Sequence, residues 1–334
     1  MKPRLHAFVH FLLGVAVVFV ANFLAGVVAP QSESLRRFDV FYRPLLLVFL
    51  FIGFSILLTR FDHVSGNPVA EMGLALRPPW LRDLWAGFLL GSGMVAIAVA
   101  WIAMAGSFAI TVLFTVRTVQ LAGVVFVILG AGAMAEEVSF RGYPFQRLID
   151  AIGAGSAVVV LSVLFGAVHF LNPHASLWGF LNTVLIGVLL SLAYLRTRSL
   201  WMPVAIHFGW NLTLGFIFGL PVSGLTEFSV VLRGHAQGPA WLTGGSYGIE
   251  AGVVGTSVIV LGIVLLVIFV QPRTVPLATQ IYTPEVCTPG ELSAEKEIPI
   301  AEAIVAEPEN KDSSQSSQPM LPPGPQHGTG NFDL

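Results

Sequence analysis

The run Leu121–Ala135 holds no charged residue, and apolar runs of this kind recur along the whole chain. The recurrence leaves few folds open. A segment of about 20 apolar residues crosses a bilayer as a helix, because the hydrocarbon offers its backbone no other hydrogen-bond partner. Of the 334 residues, 11% are charged and 55% hydrophobic, against about 25% charged in soluble domains. The expected fold class is all-α: a polytopic membrane helical bundle of about eight transmembrane helices, followed by a disordered C-terminal tail.

The predicted spans are Leu5–Ala29, Pro44–Leu58, Leu84–Ala105, Thr118–Ala135, Gly153–Leu171, Ser176–Leu195, Trp201–Leu220 and Ile249–Val270. The first is longer than the roughly 7–15 apolar residues of a signal peptide, so it is read as a retained helix. In the third, Gly87, Gly91 and Gly93 are expected to let a neighbouring helix approach closely. Asn22 and Asn182, polar inside spans, are expected to hydrogen-bond between helices. The chain divides into N-terminal helices (1–117), a core (118–215), a loop with the last helix (216–270) and the tail (271–334). The tail holds 10 of the 21 prolines and shows no sustained apolar periodicity, a composition that reads as disordered.

Charge placement gives an orientation. With eight spans and an inside N-terminus, the inner segments hold 12 Lys and Arg residues and the outer loops 5, so both termini are predicted cytoplasmic. The location expected is an integral position in a bacterial plasma membrane, with the lipid bilayer as the first partner. No basic patch supports nucleic-acid binding. The single cysteine, Cys287, excludes an intrachain disulfide and a thiolate metal cluster.

Against this background the end of the fourth span stands out. Glu136 and Glu137 are adjacent, and Arg141 follows four residues after the second. Ionisable groups at membrane depth cost about 2.5–3.5 kcal/mol each on insertion scales, so two together need a reason. Glu137 and Arg141 are spaced for a helical ion pair, which leaves Glu136 pointing elsewhere. His169 closes the fifth span. His207 and Asn211 lie one helical turn apart in the seventh.

Two carboxylates, two imidazoles and an amide suit hydrolysis. A carboxylate among apolar helices can serve as a general base. A histidine beside it can orient water, and a histidine with an amide can donate to an oxyanion. Glu136, His169 and His207 would alternatively suffice to bind a divalent metal such as zinc, with a position open for water.

These residues resemble the motifs of the CAAX protease and bacteriocin-processing (CPBP, or Abi) family of intramembrane endopeptidases. The EExxxR motif is matched by Glu136, Glu137 and Arg141, FxxxH by Phe165 and His169, and HxxxN by His207 and Asn211, across residues 118–215. The resemblance implies an eight-helix protease with its site inside the membrane, open toward the cytoplasm. It implies cleavage of a membrane-associated peptide or protein, prenylated or CAAX-like. Carried over by position, Glu136 and His169 would activate water, His207 and Asn211 would stabilise the oxyanion, and Glu137 and Arg141 would support them. It leaves metal use open. Two other classes compete: a non-catalytic scaffold or bacteriocin self-immunity protein, and a proton-coupled transporter using Glu and His as a relay.

Overall fold

The computed structural model describes residues 3–27, 39–61, 67–76, 78–105, 108–113, 115–229 and 231–273, with backbone only for 39–41 and 117. His63, most of the acidic tail and Cys287 lie outside the described residues.

The apolar runs fold as helices because only a helix satisfies their backbone from within the segment. Among the described residues five are long and apolar enough to cross a membrane. These are α1 (Pro3–Val27), α2 (Asp39–Phe61), α4 (Trp80–Met104), α5 (Val116–Arg141, continued by α6, Tyr143–Ile152) and α8 (Leu177–Thr197). Two apolar helices are shorter, α7 (Ala154–His169) and α11 (Val253–Phe269). The seventh expected span is α9 (Trp201–Asn211), which passes directly into a π-helical stretch, Leu212–Ile217. Single turns α3 (Pro68–Glu71) and α10 (Ala240–Thr243) complete the set. Large apolar side chains such as Phe19, Phe23, Phe49 and Phe269 are exposed, as lipid-facing surfaces require. This is an integral membrane protein with a helical bundle fold.

Several local features depart from the sequence expectation. α2 begins at Asp39 and runs through Pro44, which lies inside the helix and costs it one backbone hydrogen bond. Asn22 bonds the carbonyl of Val18 in its own helix, at 2.9 Å, and not a neighbour. Asn182 does bridge elements, donating to the carbonyls of Glu250 and Gly252. A two-stranded ribbon also forms. β1 (Phe108–Val112) pairs antiparallel with β2 (Leu232–Ala236), Phe108 opposite Ala236. Five residues whose partner lies over a hundred positions away leave no periodic signal in the sequence.

Gly87 and Gly91 fall one turn apart on α4 and face α9. A Cβ on Gly87 would lie 2.5 Å from the Met202 carbonyl, and one on Gly91 would overlap the Ile206 carbonyl. Gly209 answers from α9, 2.6 Å by the same measure from the Phe88 carbonyl. The two backbones therefore pack closer than any side chain would permit. Gly93 faces open space instead.

Among the described residues the interior holds two large apolar clusters and a small third around Val125, Leu129 and Leu212. One of the two large ones is built largely from α4, α8, α9 and α11, with Met94, Leu190, Ile206 and Ile259 at its centre. The other draws on α1, α5, α6, α7 and α8, through Phe11, Val138, Phe145 and Leu161. Helix α9 contributes to both: Met202, Ile206 and Trp210 to the first, Val204 to the second.

Candidate active site

The two glutamates stand inside α5, not at a turn. The helix continues to Arg141 and breaks at Gly142, where any Cβ would overlap the Val138 carbonyl. Pro144, in the first turn of α6, then restarts the chain in a new direction. α6 buries Tyr143, Phe145 and Leu148 and leaves the Arg147–Asp150 pair, at 3.1 Å, partly exposed.

Adjacent positions on a helix diverge by about 100°, and the pair serves two environments accordingly. Glu137 is fully buried. Its Oε1 accepts from Arg141 Nη1 at 3.2 Å and lies 2.9 Å from His207 Nδ1. Arg141 is also fully buried, donates from Nη2 to the Gly187 carbonyl at 3.1 Å and stacks over the Phe165 ring at 4.5 Å. Glu136 is 40% exposed and points the other way. Its Oε2 lies 3.6 Å from His169 Nε2 and 3.9 Å from His207 Nε2.

The histidine tautomers follow from their second nitrogens. His169 Nδ1 is 2.8 Å from the Phe165 carbonyl, which can only accept, so Nδ1 carries the proton. In the neutral ring Nε2 then presents its lone pair toward Glu136. His207 Nδ1 faces the Glu137 carboxylate in the same way, which turns its Nε2 toward Glu136 as well. Asn211, half-buried, ends α9 one turn after His207 and shares its helix face.

Glu136, Glu137, Arg141, His169 and His207 therefore meet across α5, α7 and α9, with Asn211 beside them on α9. Residues 117–213 match the family model described as type II CAAX prenyl endopeptidase Rce1-like. That segment is similar to the Rce1-like family. The class this supports is a membrane CAAX-type endopeptidase, a hydrolase. No curated protein and no solved structure matches the chain.

The metal expectation meets a geometric test. Two ligands bound to one tetrahedral zinc at 2.0–2.1 Å lie about 3.4 Å apart. The carboxylate–imidazole separations in the Rce1-like segment, 3.6 and 3.9 Å, are wider. Among the described residues no group of three or more His, Cys, Asp or Glu is placed to hold a metal ion.

One neighbouring residue escaped the sequence reading. Glu250 precedes α11, is 3% exposed, and accepts from Trp210 Nε1 at 2.9 Å, the residue just before Asn211. The available signal was a lone carboxylate at the head of an otherwise uncharged run, Ala251–Val270.

Proposed function

We propose that the chain is an intramembrane endopeptidase that hydrolyses a peptide bond in a membrane-associated protein or peptide, prenylated or CAAX-like. The observation that carries this reading is the convergence of two Nε2 atoms, from α7 and α9, on Glu136 Oε2, a buried oxygen with no hydrogen-bond partner among the described residues. Separations of 3.6 and 3.9 Å are too long for direct hydrogen bonds and suit a bridging water.

Glu136 removes a proton from that water while His169 Nε2 orients it, and the hydroxide attacks the scissile carbonyl carbon. His207, its Nδ1–H committed to Glu137, directs a protonated Nε2 at the oxyanion, and the Asn211 amide supplies a second donor. The proton held by Glu136 passes to the leaving nitrogen as the C–N bond breaks, releasing a carboxylic acid and an amine. Glu137 is the buried counter-charge beside Arg141 and His207 and fixes the ring orientation of the latter. The basic-residue asymmetry supports a cytoplasmic-side opening with both termini inside. A proton relay for transport needs no amide paired with an imidazole, and this pairing favours hydrolysis.

The test is cleavage of a bilayer-anchored peptide library by purified protein, with products located by mass spectrometry. Hydrolysis at a defined bond near the anchored end supports the reading. A folded, purified sample that cleaves nothing overturns it.

A further inference from the structure

Glu250 lies outside the segment that matches the protease family. It is nonetheless built into the same machinery. Its Oε1 accepts from the Trp210 indole N–H at 2.9 Å. Its Oε2 accepts from the backbone N–H of Ser223 and from Ser223 Oγ at 3.0 Å. Ser223 is held at φ +48°, a left-handed conformation uncommon outside glycine, which turns both of its donors onto one oxygen. The Ser223 carbonyl in turn accepts from Asn172 Nδ2 at 3.1 Å, three residues beyond His169. The backbone of Glu250 is itself fixed, its carbonyl accepting from Asn182 of α8.

The carboxylate thus ties two points together. One is the last turn of α9, where Trp210 stands between His207 and Asn211 and the helix widens into its π-helical stretch. The other is the turn that follows His169. Both carry groups assigned above to water activation or the oxyanion. Two obligatory N–H donors sit on two different oxygens, a demand that a carboxyl group meets and a carboxamide, with one oxygen, does not.

We propose that Glu250 is a positioning residue for hydrolysis: through Trp210 and Ser223 it sets the register of the His207–Asn211 turn against His169. The proposal rests on the endopeptidase reading for its kinetic consequence, but not for its structural one. A residue that aligns oxyanion donors acts on contacts made in the transition state, so its loss lowers kcat with KM unchanged.

The experiment compares wild type, Glu250→Gln, Trp210→Phe and the double variant in two assays. Backbone hydrogen exchange is measured on the full-length protein in detergent, and kcat and KM on the best peptide from the library. Glu250→Gln is expected to speed exchange at residues 207–217 and 170–175 and to leave α4 and α5 unchanged. It is expected to lower kcat about tenfold, less than the 10²–10³ lost with an oxyanion donor itself, at unchanged KM. Trp210→Phe reproduces the kcat loss, and the double variant is no worse than the more impaired single one. Unchanged exchange at 207–217, uniform acceleration throughout, or wild-type kcat in Glu250→Gln overturns the proposal. A wild-type protein with no cleavage removes the endopeptidase reading alone, and the exchange result then decides this one.

Discussion

Glu137 Oε1 lies 2.9 Å from His207 Nδ1, joining α5 to a helix that begins sixty-four residues later, and the same oxygen accepts from Arg141. One buried carboxylate therefore neutralises a guanidinium and orients an imidazole. Its neighbour Glu136 has neither duty, and its Oε2, buried between the two imidazoles, takes no hydrogen bond from the described residues. The chemistry proposed for the site depends on that division, and the two glutamates should respond differently to substitution.

Removing the charge at Glu137 strands Arg141, which is 0% exposed. Leaving a buried charge without its partner costs about 3–5 kcal/mol. Glu137→Ala is expected to lower the Tm sharply and to reduce membrane-inserted yield, measured by thermal unfolding in detergent. Glu136→Gln, at a half-exposed side chain whose Oε2 takes no hydrogen bond from the described residues, should leave the Tm near wild type.

The glycines of α4 make a second contrast. Gly91→Val pushes two methyl groups into the Ile206 backbone and is expected to cost about 1–3 kcal/mol by overpacking. It also shifts α9, so activity falls further than stability alone explains. Gly93→Ala meets nothing within 4 Å and gains helix propensity. Its Tm should hold or rise.

How far the sequence reached follows from what each residue needs. Glu136, Glu137, Arg141, His169, His207 and Asn211 were legible because each is polar in an apolar run and falls at helical spacing from a partner or a motif position. Gly87 and Gly91 were legible for the same periodic reason, and Gly93 was not separable from them without knowing which face α9 covers. Glu250 was hidden. A carboxylate at the head of a span is ordinary at a membrane interface, and its partners Trp210 and Ser223 lie 40 and 27 residues away. The β1–β2 ribbon was hidden too, since short non-local pairings carry no local signature. The continuation of α5 to Arg141 was missed because charge was taken to end the span, whereas burial of Arg141 against Glu137 and Phe165 carries the helix on.

A clasp beyond the site is open to test. Asp83, at the start of α4, is buried and pairs with Arg273, which also donates from Nη1 to the Thr197 carbonyl at 2.9 Å. The contact ties α4, α8 and the end of α11 together. Since Arg273 is 27% exposed, solvent screens the pair, and Arg273→Ala should cost about 1–2 kcal/mol, below the full buried-pair range. Thermal unfolding at low and high salt checks this, with the wild-type advantage shrinking only slightly in salt because Asp83 is buried.

Chelation separates the two routes to an activated water. With carboxylate–imidazole spacings of 3.6 and 3.9 Å, the mechanism argued above has Glu136 act directly. Exhaustive dialysis against a chelator should then leave kcat and Tm unchanged. Loss of cleavage, restored by added zinc, would assign Glu136, His169 and His207 as ligands instead.

The most direct measurement is kcat for Glu136→Gln on the best bilayer-anchored peptide, with the Tm of the same preparation. A general base contributes about 10²–10⁴-fold, so the account predicts a kcat loss of that size at near wild-type Tm. Turnover at the wild-type rate by the folded variant would contradict it, and the water-activating role would have to leave Glu136.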